Sequence, residues 1–132
     1  MPIITAWTVF FCAIFYMFLT LRVIRARGEA GVSLGDGGDA KLLRRMRGQA
    51  NANEHMPLTL LALGLAELMG GEALVLVPLA ILFTLSRVAH GVALGWLNHS
   101  RTLRFWGMFI GSLTTMTILG YLGFLALLAS FS

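Results

Sequence analysis

The first 21 residues of the chain carry no charged side chain, and Arg22, Arg25 and Arg27 follow them. A helix of about 20 apolar residues crosses the ~30 Å hydrocarbon core of a bilayer. A cleavable signal peptide carries its positive charge before the apolar stretch and a small-residue cleavage site after it. Because the order is reversed here, we expect a retained transmembrane helix over about residues 3–27.

Composition extends this expectation to the whole chain of 132 residues, of which 58% are apolar and 12% charged. Soluble domains are nearer half apolar and a quarter charged, and so short a chain cannot bury this much apolar surface in a water-soluble core. The single cysteine, Cys12, excludes an internal disulfide. We expect an integral membrane protein rather than a soluble enzyme, a disordered tail or a nucleic-acid binder. Its formal net charge of +4 indicates a membrane surface or an anionic ligand as partner.

Apolar runs and turn residues predict three further helices. A loop over residues 28–39 contains five glycines, and Asp39 at its end can cap the helix that follows. Asp36 and Asp39 match no calcium-loop spacing and the sequence has no Cys/His ligand set, so we expect no metal. The prediction is one all-α domain over residues 1–132, an integral membrane four-helix bundle whose later helices cover about residues 40–70, 72–98 and 102–130.

The basic residues predict the orientation of this bundle. Seven of the ten Lys and Arg residues lie between Arg22 and Arg47, and Arg87, Arg101 and Arg104 lie at or near the connection between the third and fourth helices. With four spans, all ten fall toward one side, which the positive-inside rule makes cytoplasmic. We therefore expect both termini on the opposite side of the membrane.

Polar residues inside the predicted spans indicate where a site lies, because a charge in the bilayer costs at least ~2.5–3.5 kcal/mol on the insertion scale. Arg47, Asn51 and Glu54 stand at i, i+4 and i+7, so they share one face of the second helix. Arg87 and His90 share a face of the third helix. These two faces are the candidate site.

One carboxylate in this region, Glu54, cannot satisfy the four arginines at positions 47, 87, 101 and 104. Two explanations remain open. Either an anionic ligand uses the surplus positive charge, or the charges pair within the protein, for instance Arg87 with Glu54, and with lipid headgroups. Headgroup contact and an orientation signal are the favoured roles for four other basic residues, Arg22, Arg25, Arg44 and Arg45.

Residues 44–58 read RRMRGQANANEHMPL. This string resembles the signature R-x-x-R-A-x-x-N-x-x-E-x-x-P of the MAPEG family, the membrane-associated proteins in eicosanoid and glutathione metabolism. Gly48 stands where the family usually has alanine. The Gly-Asp-Gly-Gly loop at residues 35–38 is similar to one found often in the bacterial branch. The resemblance covers essentially the whole chain.

The resemblance implies a four-helix bundle that assembles as a homotrimer and binds glutathione between neighbouring subunits near the cytoplasmic face, here of a bacterial inner membrane. Family members include transferases and peroxidases acting on lipophilic substrates, and one lipid-binding protein without catalytic activity. Carried over by position, the implied glutathione contacts are Arg27, Arg47, Gln49, Asn51, Glu54 and Arg87. Arg101 aligns with an arginine that stabilises the glutathione thiolate, which makes it the expected catalytic residue.

Several positions depart from the family pattern. His55 replaces a tyrosine beside the motif glutamate, and Gly28 replaces a second arginine near the end of the first helix. His90 and Leu94 replace two tyrosines that contact glutathione in a related synthase. His90, on the same face as Arg87, stays among the expected glutathione-binding residues.

Three functions are compatible with the sequence. The favoured one is a glutathione-dependent transferase or peroxidase, which needs no metal and no other cofactor and receives lipophilic electrophiles from the membrane lipid. The second is a non-catalytic protein of the same fold that binds lipid or another anion. The third, an ion or proton pathway, is weaker because the charges cluster toward one side of the bilayer and leave the other half apolar.

Overall fold

The structure is a computed structural model that describes residues 1–95 and 101–131, and within them it contains four α-helices and no strand. The helices are α1 (Ile3–Ala30), α2 (Ala40–Leu68), α3 (Ala73–Gly95) and α4 (Arg101–Ala129). The predicted all-α four-helix bundle is confirmed. Residues 96–98, which the sequence assigns to the third helix, lie outside the described residues.

The helix ends differ slightly from the predicted ones for local reasons. Helix α1 continues past Arg27 to Ala30 and ends where Gly31 adopts a left-handed φ of 65°. Helix α2 ends at Leu68 rather than at residue 70, because Gly70 turns the backbone with a φ of 82°. Both turns need a positive φ, which glycine adopts without steric cost.

Helices α1, α3 and α4 are each long and apolar enough to cross a membrane, judged over the described part of the chain. Helix α2 is 29 residues long but carries polar and charged side chains, and it packs against all three other helices. Within the described residues, α1 and α4 make no contact with each other. The chain is therefore an integral membrane protein whose most polar helix, α2, packs against every other helix, as α3 also does.

Two carboxylates cap helices at opposite ends of the bundle. Asp39 lies at the basic end of the bundle, where most of the Lys and Arg residues are, and accepts hydrogen bonds from two backbone N–H groups in the first turn of α2. These bonds lower the pKa of its carboxyl, and the bond from Leu42 contributes most. Glu67 lies at the opposite end, called the terminal end here because α1 begins there, and accepts hydrogen bonds from the N–H groups of Ile4 and Thr5 at 2.9 and 2.8 Å. The Thr5 hydroxyl donates to the same carboxylate at 2.7 Å. Glu67 thereby fixes the start of α1 to the end of α2.

Glu67→Ala should lower the free energy of unfolding by about 2 kcal/mol, because it removes a charged acceptor and leaves the first N–H groups of α1 uncapped. Thermal unfolding in detergent measures the loss. Glu72→Ala is the matched control, because the Glu72 side chain is exposed and makes no hydrogen bond or ion pair with the described residues. Equal stability of the two variants would contradict the role given to Glu67.

Candidate functional site

A cleft of about 270 Å³ opens between α2, α3 and α4 in the basic half of the bundle. Charged, amide and imidazole groups line it together with a few apolar side chains: Arg47, Ala50, Asn51 and Glu54 from α2, His90 and Leu94 from α3, and Arg104 and Met108 from α4. Four of the predicted site residues thus meet at one cavity. Neither the cleft nor the rest of the described chain groups three His, Cys, Asp or Glu side chains as a metal site would need.

The cleft holds more positive than negative charge. Arg47 and Arg104 bring two guanidinium groups, and Glu54 brings the one carboxylate among the lining residues. All three residues are exposed. In the described ranges, no oppositely charged group lies within 4.0 Å of any of their charged atoms. Arginine forks bind carboxylates through two parallel hydrogen bonds, so a small anion that also carries an ammonium group would match these charges.

Behind the cleft lies the guanidinium of Arg87, a residue only 3% exposed. Its Nη1 donates to the side-chain oxygen of Asn51 at 3.2 Å, and its Nη2 donates to the backbone carbonyl of Gly107 at 2.9 Å. Its Cζ lies 5.7 Å from the centre of the Phe83 ring. The ion pair with Glu54 that the sequence suggested as an alternative does not form. Arg87 instead joins α3 to α2 and α4, and it leaves the amide NH₂ of Asn51 available to a ligand.

Two glycines of α4 permit its close approach to α3. The Nδ1 atom of His90, a residue only 5% exposed, lies 3.0 Å from the backbone oxygen of Arg104. A Cβ at Gly107 would lie 2.9 Å from the backbone nitrogen of His90, and a Cβ at Gly111 would overlap the Arg87 guanidinium. The GxxxG pattern in α4 therefore serves packing within the subunit.

Three predicted site residues lie away from the cleft. Arg27, near the end of α1, donates through Nη1 to two backbone carbonyls of the loop over residues 31–39, at 3.2 and 2.9 Å. Gln49 is directed toward α1, where its Nε2 donates to the hydroxyl of Thr20 at 2.8 Å. Arg101 is the exposed first residue of α4 and does not line the cleft.

The sequence counted Arg104 among the four arginines that Glu54 cannot satisfy, but it gave Arg104 no glutathione contact or catalytic role. The resemblance gave the fourth-helix role to Arg101, whereas Arg104, one turn further along α4, lines the cleft. The sequence does contain a pattern that indicates a place for Arg104 in the cleft. Arg104 and Met108 stand at i and i+4, the same spacing as His90 and Leu94 on α3, so each helix presents a pair of residues on one face.

Gly111→Ala should weaken the fold by about 2 kcal/mol or more, because the new methyl group occupies the volume of the Arg87 guanidinium and separates it from its acceptors. Gly120→Ala on the same helix is the matched control, since nothing lies within 4 Å of a Cβ placed there. Thermal unfolding in detergent compares the two variants. If Gly111→Ala proves as stable as Gly120→Ala, Arg87 does not occupy this position.

Comparison with known protein families gives a match to the chain. The model of the MAPEG family matches residues 5–124, a range that contains every residue lining the cleft. No curated protein matches the sequence. Because the family match covers most of the four-helix bundle, the chain belongs to the MAPEG family.

Proposed function

We propose that this chain is a membrane-bound glutathione-dependent transferase or peroxidase acting on lipophilic electrophiles. The observation that carries the proposal is the charge set of the cleft, two guanidiniums and one carboxylate without ion-pair partners among the described residues. Glutathione has two carboxylates, one ammonium group and a thiol. Arg47 and Arg104 would bind the carboxylates, Glu54 the ammonium, and Asn51 would donate through its amide. Membership of a family that includes such enzymes supports this assignment.

The chemistry requires the thiol of glutathione as a thiolate. A free thiol has a pKa near 8.5, and a nearby cation lowers it. We assign this role to Arg101, as the family resemblance implies, because it is the first residue of α4, one turn from the cleft residue Arg104, and arginine does not lose its proton. In conjugation the sulfur attacks an electrophilic carbon, and the leaving group departs with its bonding electrons. In peroxide reduction the sulfur attacks one peroxide oxygen, the O–O bond breaks and the other oxygen leaves as an alcohol, which gives a glutathione sulfenic acid. The thiol of a second glutathione then attacks this sulfur, forming the disulfide and releasing water.

A second copy of the chain would complete the site in a homotrimer. At about 270 Å³, the cleft of one subunit is smaller than the ~300–1,000 Å³ typical of ligand pockets. The family pattern also assigns Arg27 and Gln49 to glutathione, yet both make their contacts on the side of α1 and the loop, away from the cleft. A neighbouring subunit would supply these two side chains from its own α1 side.

The positive-inside rule supports a cytoplasmic position for the basic end and the cleft, in a bacterial inner membrane by the family resemblance. The lipophilic substrate would then reach the sulfur from the bilayer. Phe105 and Phe109, exposed and stacked on each other with ring centres 6.0 Å apart, follow Arg104 on α4 and provide an apolar approach.

Calorimetric titration of the purified protein in detergent should show saturable glutathione binding. Arg47→Gln and Glu54→Gln should each weaken it about tenfold or more, since a hydrogen bond to a charged group contributes about 1.5–3 kcal/mol. Glu72→Gln removes one charge at the opposite end of the bundle and serves as the matched control with unchanged affinity. Absence of binding by the unmodified protein would refute the proposal.

Loss of the thiolate absorbance of bound glutathione near pH 7 in Arg101→Ala, but not in Arg25→Ala, would assign the catalytic role to Arg101.

Mixed trimers test whether two subunits share one site. If Arg47 and Gln49 act from different subunits, a site is intact when its cleft belongs to a Gln49→Ala chain and its neighbour is an Arg47→Gln chain. Co-expression of the two chains in equal amounts should therefore restore about one quarter of the sites. Glutathione-binding capacity measures the recovery against each variant alone. A site built within one subunit would show no recovery.

A non-catalytic binding protein is the second candidate function. It is favoured by the missing tyrosine hydroxyls, because Leu94 offers no hydrogen bond and the His90 imidazole is already engaged with the Arg104 carbonyl. Saturable glutathione or lipid binding together with blank conjugation and peroxide-reduction assays would support this candidate over the enzyme.

A further inference from the structure

A second concentration of positive charge lies where the last turns of α1 meet the start of α2. Three cations there share the carboxylate of Glu29: Arg25 Nε at 3.0 Å, Lys41 Nζ at 3.6 Å and Arg45 Nη1 at 3.7 Å. We call these three basic residues and Glu29 the basic rim. None of them lines the cleft, so the basic rim is a separate feature of the molecule.

The basic rim has a surplus of positive charge. Three cations face one carboxylate, which leaves a net charge of +2, and Arg22 and Arg44 add further positive charge on the same two helices. Arg22 and Arg25 stand one turn apart on α1, and Lys41 and Arg44 stand one turn apart on α2. An anion bound from outside would offset this surplus through charge-assisted hydrogen bonds.

Part of the basic rim is buried against the protein and part is exposed to a ligand. The side chain of Arg45 is only 15% exposed, its Nη1 also lies 3.4 Å from the backbone oxygen of Arg22, and its buried Nε has no acceptor among the described residues. The side chains of Arg25 and Lys41 are 82% and 62% exposed. A largely buried guanidinium flanked by two exposed cations suits a phosphate group, which presents several acceptor oxygens.

The depth of the basic rim in the membrane favours the phosphate of a lipid headgroup over a free phosphate. The uncharged part of α1 before Arg22 begins at Ile3, which at 1.5 Å per residue gives about 28 Å. This length matches the ~30 Å hydrocarbon core, so Arg22 and Arg25 lie at the level of the lipid headgroups. Leu21 and Ile24, 58% and 59% exposed on the same turns of α1, offer apolar surface to an acyl chain.

We propose that the basic rim is a binding site for the headgroup of an anionic phospholipid, with the phosphate between Arg25, Lys41 and Arg45. The surplus charge of two predicts a selectivity order: a lipid with two phosphate charges binds more tightly than one with a single charge, and a zwitterionic lipid binds least. This site is independent of the proposed glutathione function, because it uses neither the cleft nor its residues.

The test is lipid titration of delipidated, full-length protein in a nonionic detergent, read by native mass spectrometry and by thermal unfolding. Cardiolipin should bind most tightly, phosphatidylglycerol less tightly and phosphatidylcholine least. Arg25→Gln combined with Lys41→Gln should weaken cardiolipin binding about 30-fold, since each basic side chain near an anionic surface contributes about 1 kcal/mol. Glu29→Gln should tighten it, because the cations lose their only rim carboxylate.

The matched control is Arg101→Gln combined with Arg104→Gln, which removes two positive charges from the same end of the bundle on α4 and should change cardiolipin affinity by less than about threefold. The lipid-free unfolding temperature and elution profile of every variant show whether it is folded. Equal binding of phosphatidylcholine, equal loss in the control, or weaker binding by Glu29→Gln would each overturn the proposal. An equal thermal shift with inorganic phosphate would also overturn it, because the ligand would then be free phosphate rather than a lipid.

Discussion

The arrangement of the cleft depends on the buried guanidinium of Arg87. A charge withdrawn from water costs several kcal/mol unless polar groups satisfy it. Here the oxygens of Asn51 and Gly107 accept hydrogen bonds from the two Nη atoms and the Phe83 ring lies 5.7 Å from Cζ, while the buried Nε has no acceptor among the described residues. Because these partners lie on α2, α4 and α3, one side chain sets the spacing of all three helices that line the cleft. Gly111 provides the space that this charge occupies. The close packing of α3 on α4 and the orientation of the Asn51 amide both follow from this single placement.

Contacts at both ends of the bundle hold the cleft between them. At the basic end, Arg27 binds two carbonyls of the loop and Asp39 caps α2. At the terminal end, Glu67 binds the first N–H groups of α1. Helix α2 runs between these two fixed points and carries Arg47 in its first third and Glu54 at its midpoint. A site carried on a helix fixed at both ends loses little conformational freedom when a ligand binds, which favours affinity.

Much of this arrangement could be predicted from the sequence. Uninterrupted apolar runs predict the helices, and the 3.6-residue period places Arg47, Asn51 and Glu54 on one face. Contacts between helices are not encoded in that period. The Gly107 carbonyl as a partner of Arg87 and the choice of Arg104 over Arg101 at the cleft both depend on how α4 packs against α3. The glycine-rich composition of residues 28–39 likewise concealed the last turn of α1, which contains Glu29 and so creates the basic rim.

If the charges of the cleft hold glutathione, a crystal structure of the protein with saturating glutathione should show density for a tripeptide in the cleft. One of its carboxylates should lie about 3 Å from the Arg47 guanidinium, and its ammonium should lie at Glu54. Arg87 should keep its bonds to Asn51 and Gly107. Density for a lipid alone, or Arg47 and Arg104 paired with carboxylates of the protein and no room for a peptide, would show that the cleft does not bind glutathione.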